Sequence, residues 1–460
     1  MRIRYCLAAA LALVTTAACV SSLRLSSGAV HDGVTGSPDS TAAAVVPNWP
    51  TYHGDAQRTG LRARLPLAGK LAIAWSRQLD GAVYGQPLII GDTVVAATEG
   101  DRIYGLSRAT GQVLWRSRLL GQPVPLSQQP CGNINPLGIT GTPVYDATTG
   151  LVYAVAETTG GQKVLAGVRV SNGTLAVRRL IPAPDGQPAY DQQRGALALE
   201  NGRIYITFGG HFGDCGLYIG SVVAVRATGS GRILSYKVPT KRQAGLWASA
   251  GPVISPGGTI YVSSGNGAAT QPPYDGSDSV IALTPQLRQI GVFAPRTWAQ
   301  DNASDLDIGS ASPALLANGT ILQVGKRGTG YLLPAGRLGG IGSQLAQGRV
   351  CASWGGDAVD GSVVYVPCNT GVAAVNVANG QFHVLWRGPS TAAGSPVVGG
   401  GAVWVADWNA GVLYELNQAT GAVRYRLYLG SNLPNFVSPS LSGHLLLIGT
   451  MHGVVAVRGA

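Results

Sequence analysis

Residues 85–98 read GQPLIIGDTVVAAT: a small residue and a proline, an apolar pair, a Gly-Asp turn, then a strongly apolar β run. The same order returns as GTPVYDATTGLVYAV (141–155), GALALENGRIYIT (195–207), AGPVISPGGTIYVS (250–263) and ASPALLANGTILQV (311–324). It continues as WGGDAVDGSVVYVP (354–367), GSPVVGGGAVWVA (394–406) and VSPSLSGHLLLIG (437–449). These are eight copies, spaced about forty to sixty residues apart, which is the spacing of four-stranded blades in a β-propeller. The expectation is therefore an all-β, eight-bladed propeller. Seven blades is the alternative, because copies five and six are irregular.

A second pattern follows several copies: GLSRATGQVLW (105–115), AVRATG (224–229), AVNVANGQFHVLW (374–386) and ELNQATGAVRY (415–425). Each is a strand, a tight turn ending in glycine, and the start of an outer strand, which in three of them carries an aromatic. The glycine suits a positive-φ turn position, which other residues adopt only with strain. The aromatic can pack against the neighbouring blade. The last copy runs to Ala460 without an outer strand, whereas LAIAWSRQL (71–79) precedes the first copy as a spare strand. Pairing that strand into the last blade closes the ring and removes exposed strand ends.

Composition agrees with many short strands and tight turns. Glycine is 66 of 460 residues and charged residues are 12%, about twice and half the usual shares. No long window outside the N-terminus repeats apolar residues at helical spacing, so little helix is expected. The net charge of +11 is scattered, without the basic, aromatic-interleaved stripe of a nucleic-acid surface.

Residues 1–19, MRIRYCLAAALALVTTAAC, have a basic start, a short apolar run and small residues, the layout of an export signal. Thr16-Ala17-Ala18-Cys19 resembles a bacterial lipobox, with Thr16 in place of the usual leucine. It implies lipidation at Cys19 and an envelope protein anchored on the outer face of the cytoplasmic membrane. Residues 20–46 are rich in Ser, Ala, Gly and Thr and read as a flexible tether, leaving 47–460 for the propeller. Four cysteines remain in the exported chain, and four allow three pairings. Cys351 and Cys368 stand at the two ends of one repeat, which favours Cys351–Cys368 and Cys131–Cys215.

The turn signature resembles the tryptophan-docking repeat, Ala-x-Asp-x-x-Thr-Gly-x-x-x-Trp, of pyrroloquinoline-quinone (PQQ) propellers. WPTYHGDAQRTG (49–60) resembles their entry segment. The resemblance spans nearly all of the exported chain. That family includes alcohol dehydrogenases and non-catalytic envelope lipoproteins, so the fold alone does not choose an activity.

Residue by residue, the resemblance implies a candidate site. Trp247, in GLWASAGPV, stands where the dehydrogenases support one face of the quinone. Asn266, in SSGNG, matches an asparagine ligand of calcium. Asp307, in Asp305-Leu306-Asp307, matches the catalytic base, and Lys326, in GKRGTGYLL, the lysine that contacts the quinone oxygens. A calcium glutamate in the preceding blade is replaced by GGHFGDCGLYIG, which offers His211 or Asp214. The implied metal ligands are thus Asn266, Asp307 and Asp214. The adjacent-cysteine ring of the dehydrogenases is absent, and no Cys-x-x-Cys-His attaches a haem, so electrons from an alcohol or sugar would leave to a separate acceptor. Alternative roles stand beside these: Asp307 as a turn cap, Asn266 as a left-handed turn residue, Lys326 as a loop residue and Trp247 as a docking aromatic. A cofactor-free scaffold or ligand-binding propeller in contact with an envelope protein is the alternative function. The long loops at 121–140 and 182–194 are candidate lids or partner surfaces.

Overall fold

The computed structural model describes residues 48–459, apart from 64, 66–68 and 392. The export signal, Cys19 and the 20–46 tether lie outside the described residues. Among those described, no helix is long and apolar enough to cross a membrane.

Eight small antiparallel sheets follow one another around a ring. The eight sequence copies supply, in order, the first two strands of blades 1 to 8, and the irregular copies five and six are full blades. Blades 3, 4 and 7 each gain a short fifth strand, Asp191–Gln192, Gly339–Ile341 and Leu61–Arg62. Blade 8 is completed as expected: Leu71–Gln78 pairs antiparallel with Gly453–Gly459, Ala72 opposite Arg458 and Gln78 opposite Gly453.

The core lies between blades. The second strand of blade 2, Leu151–Thr158, is buried at every position, because both faces of a middle strand meet a neighbouring blade. One apolar cluster joins Tyr153 and Leu165 of blade 2 to Ile206 and Val223 of blade 3. Another joins Val262 and Ile281 of blade 4 to Tyr205 and Val222 of blade 3. Outer strands alternate half-buried and exposed residues, as Gln381–Arg387 does, because one face meets solvent.

The glycine turns make the joints. Gly111, Gly173 and Gly421 all have positive φ, and a Cβ on each would collide with Trp75, Trp115 and Trp386 of the preceding blade. Trp75 and Trp386 also donate their indole N–H to the carbonyls of Arg108 (2.9 Å) and Gln418 (3.1 Å), three residues before the glycine. One residue type therefore satisfies two demands, the left-handed turn and the space for the indole.

Residues 49–60 cross the ring centre. Main-chain bonds run from Tyr145, Ile254, Val359 and Val398 to the carbonyls of Pro50, Ala56, Thr59 and Gly60. The buried Arg58 donates to the carbonyls of Leu197 (2.8 Å) and Pro252 (3.2 Å), and His53 Nε2 lies 3.0 Å from the Ser438 hydroxyl. The segment thus ties blades 2, 3, 4, 6, 7 and 8 to one another. Both expected disulfides are formed, Cys131–Cys215 and Cys351–Cys368.

Candidate functional site

Low helix content is observed, with one departure that matters. A short helix, α1 (Trp298–Ser304), follows the outer strand of blade 4. Asp305 ends it in the left-handed conformation, and Leu306 N–H bonds back to the Asp301 carbonyl at 2.9 Å. Asp301 is buried and accepts from the Thr297 hydroxyl at 2.6 Å and from Arg327. The chain then runs inward, where Ile308 N–H donates to Asp278 at 2.8 Å and Lys326 N–H to the Asp307 carbonyl at 2.9 Å. Gly309 and Gly325 allow this approach, since a Cβ on either would overlap the backbone of 264–265 or of 307–308.

These contacts deliver Asp307 and Lys326 from blade 5, and Asn266 and Trp247 from blade 4, to one cavity of about 580 Å³. His211 and Asp214 line the same cavity. Lys326 Nζ lies 2.8 Å from Asp307 Oδ2, also pairs with Asp305, and stands 5.5 Å over the Trp247 ring. Asn266 Nδ2 donates to Asp305 Oδ1 at 2.6 Å, while Asn266 Oδ1 is buried without a hydrogen-bond partner. Asp307 Oδ1, equally buried, has none either. Two hard oxygen donors are thus left open in one cavity.

Burial pushes the Asp307 carboxyl above the usual carboxylate range, against the pull of Lys326. For Lys326, burial works to lower its pKa, but the charges and hydrogen bonds of Asp307 and Asp305 outweigh it and hold the ammonium up. Asp278, buried behind Asp307, is driven well up by burial and then by the Asp307 charge.

Asp214 is otherwise engaged: it accepts the Tyr218 hydroxyl at 2.5 Å. Among the described residues no three His, Cys, Asp or Glu side chains gather as a metal cluster. The Cys131–Cys215 bridge ties together two segments that line the cavity, 133–134 and 211–214. The 121–140 loop therefore forms part of the wall, with Val124, Ile134 and Leu137 packed beside Tyr84.

Several cavity residues were not singled out from the sequence: Arg194, Trp354, Asn435 and Phe436. Five further positions share one register with three of these. Tyr84, Thr140, Arg194, Ser249, Ser310, Trp354, Ala393 and Phe436 each stand three residues before the proline, or its replacement, that opens a copy. Six of the eight line the cavity or the narrow space joined to it through Arg194, Asn435 and Phe436. Superposing the copies would have found them.

A family model described as outer membrane protein assembly factor BamB matches residues 69–271. That match runs from the strand closing blade 8 through blades 1 to 3 into blade 4, less than half of the chain. No curated protein matches its sequence. Solved structures similar to it include a quinohemoprotein alcohol dehydrogenase from Pseudomonas putida HK5, with TM-score 0.68 and 14% identity over 90% of this propeller chain and 80% of that one. A europium-containing methanol dehydrogenase gives TM-score 0.67 and 13% identity, over 90% and 98%. BamB from Moraxella catarrhalis gives 0.58 and 14%, over 85% and 98%. At these identities the likeness shows the propeller fold alone, and the site must argue its own chemistry.

Proposed function

We propose that this propeller is an exported quinoprotein-type oxidoreductase that oxidises a small alcohol or sugar in its central cavity. The observation that carries the reading is the pair of buried, unpartnered oxygens, Asn266 Oδ1 and Asp307 Oδ1, in a cavity shared with Trp247 and Lys326. Hard oxygens of this kind suit calcium or a lanthanide. The other carboxylates lining the cavity are engaged, Asp305 by Lys326 and Asn266 and Asp214 by Tyr218, so such a cation would complete its shell from cofactor and water. Asp214, held by Tyr218, is a ligand only if it gives up that bond.

PQQ, when bound, supplies the two-electron acceptor. Trp247 offers a flat apolar wall for it. Asp307 takes the substrate's hydroxyl proton, and its raised pKa makes it a stronger base than an exposed aspartate. Lys326 pairs with Oδ2, which fixes the carboxylate in place. Phe436 and Ile134 add apolar wall to the same cavity, which limits water around the reacting groups. Electrons pass to a separate acceptor in the envelope, where Cys19 anchors the chain.

The test is reconstitution with PQQ and calcium or a lanthanide, followed by quinone absorbance and dye reduction across alcohols and sugars. Asp307→Asn should bind the quinone and lose turnover by at least about a hundredfold. One observation favours a second reading, a cofactor-free binding propeller: Lys326 already pairs with both aspartates and sits over Trp247. Absence of quinone absorbance and of any thermal shift with PQQ would leave that reading standing.

A further inference from the structure

The charges that line the cavity are unevenly matched. Lys326 is committed to Asp305 and Asp307, and Asp214 to the Tyr218 hydroxyl. Arg194 forms no ion pair among the described residues. Its guanidinium carbon lies 5.2 Å from the Tyr84 ring centroid and 5.2 Å from that of Phe436. Nη2 donates to Asn435, at 2.8 Å to Oδ1 and 3.3 Å to the carbonyl, which fixes the plane of the group. Nε and Nη1 are given no partner by the described residues. Arg194 is also the one charged residue among the eight register positions that open the blades.

We propose that Arg194 anchors a carboxylate of the cavity's ligand, which makes hydroxylated carboxylic acids the substrate class. A guanidinium held in its plane presents paired N–H donors at the spacing of carboxylate oxygens. Aromatic neighbours displace water from it, which strengthens an ion pair formed there. Phe436 lies between the two ends of the site, 6.1 Å from the Trp247 ring and next to Arg194. A ligand lying across Phe436 thus carries its anionic end at Arg194 and its hydroxyl end toward Asp307. The inference rests on this cavity being the ligand site, and it does not require the quinone.

Cofactor-free protein is titrated by calorimetry with D-gluconate and with sorbitol, which differ at one terminal carbon. Gluconate should bind at least about tenfold more tightly. Arg194→Gln should erase that preference and Arg194→Lys, which keeps charge without the fork, should retain part of it. Equal binding of the two ligands by the unaltered protein, or no binding of either, overturns the proposal without any variant having to fold. An unchanged preference in Arg194→Gln overturns it as well. A repeat in PQQ-loaded protein separates the sources. Retained gluconate binding assigns the place to the substrate's carboxylate, and competitive loss assigns it to the cofactor's. Failure of PQQ to bind, with gluconate preference intact, refutes the quinoprotein reading and leaves this one standing.

Discussion

Replacing Lys326 with methionine tests the electrostatic account of the site without any cofactor. Lys326 and the Asp307 carboxylate are 2.8 Å apart, with side chains 14% and 1% exposed. At an effective dielectric near 20 their attraction is about 6 kcal/mol, part of which offsets the desolvation of both groups. Removing one partner of such a pair typically costs about 3–5 kcal/mol, because the other charge stays buried. Protonation limits the loss. At pH 7 an aspartate can escape by taking up a proton at about 1.4 kcal/mol per pH unit above its ordinary value near 3.9, or roughly 4 kcal/mol. The expected loss at pH 7 is therefore about 3–4 kcal/mol. For roughly 410 folded residues with about 2.1 cal/mol/K of unfolding entropy each, that lowers Tm by about 3–5 °C. The sign follows from proton binding. A carboxyl whose folded pKa is raised binds more protons folded than unfolded, so stability falls as pH rises from near 4 to the raised value. Methionine raises Asp307 further and so deepens that fall. The Lys326 contribution is constant below the ordinary lysine pKa near 10.4 and adds no slope here. The difference between variant and parent should shrink below about 1 kcal/mol near pH 4.5. Denaturant melts at pH 4.5, 6 and 7.5 measure it, and a pH-independent difference would refute the reasoning.

Three other perturbations probe the scaffold. Gly421→Ala places a Cβ into the Trp386 ring at a φ of +72°, so it should cost about 2 kcal/mol or more and expose Trp386 to fluorescence quenching. Arg58→Met leaves the Leu197 and Pro252 carbonyls buried without donors and should lower stability by about 3 kcal/mol, read from a denaturant melt. Asp101 is buried with both oxygens unpartnered, and burial and then the Glu99 charge push its pKa up to about 9. Asp101→Asn, which also tolerates the left-handed backbone there, should gain stability over the parent as pH rises from about 4 to 9 and then level off, measured by pH-dependent melts.

The fold was legible because each element of the repeat answers a local steric demand that survives in the sequence. A turn glycine marks the left-handed residue on which a tryptophan docks, and the missing outer strand of the last copy has one candidate, residues 71–79. Trp247, Asn266, Asp307 and Lys326 were legible as a set because they stand in order around the repeat. Asp305 was harder to read, since its place depends on α1, seven residues too short to leave a helical period. Arg194 and Phe436 were missed for a different reason. They lie far apart in the chain and make a site only because the ring brings the openings of blades 3 and 8 onto one axis.

That register explains how one scaffold can serve different ligands. The position that opens each copy lies ahead of the first strand's pairing with the second, outside the ladder of its own blade. Its side chain therefore answers to the cavity and not to the sheet, and here it varies from alanine to tryptophan and arginine while the strands beside it remain apolar. Blade joints need glycine and tryptophan, strands need Val, Ile, Leu and Ala, and the eight axial positions are left for specificity. A charge at one of the eight is then a statement about the ligand, because removing it costs the cavity its one cation without an ion pair among the described residues.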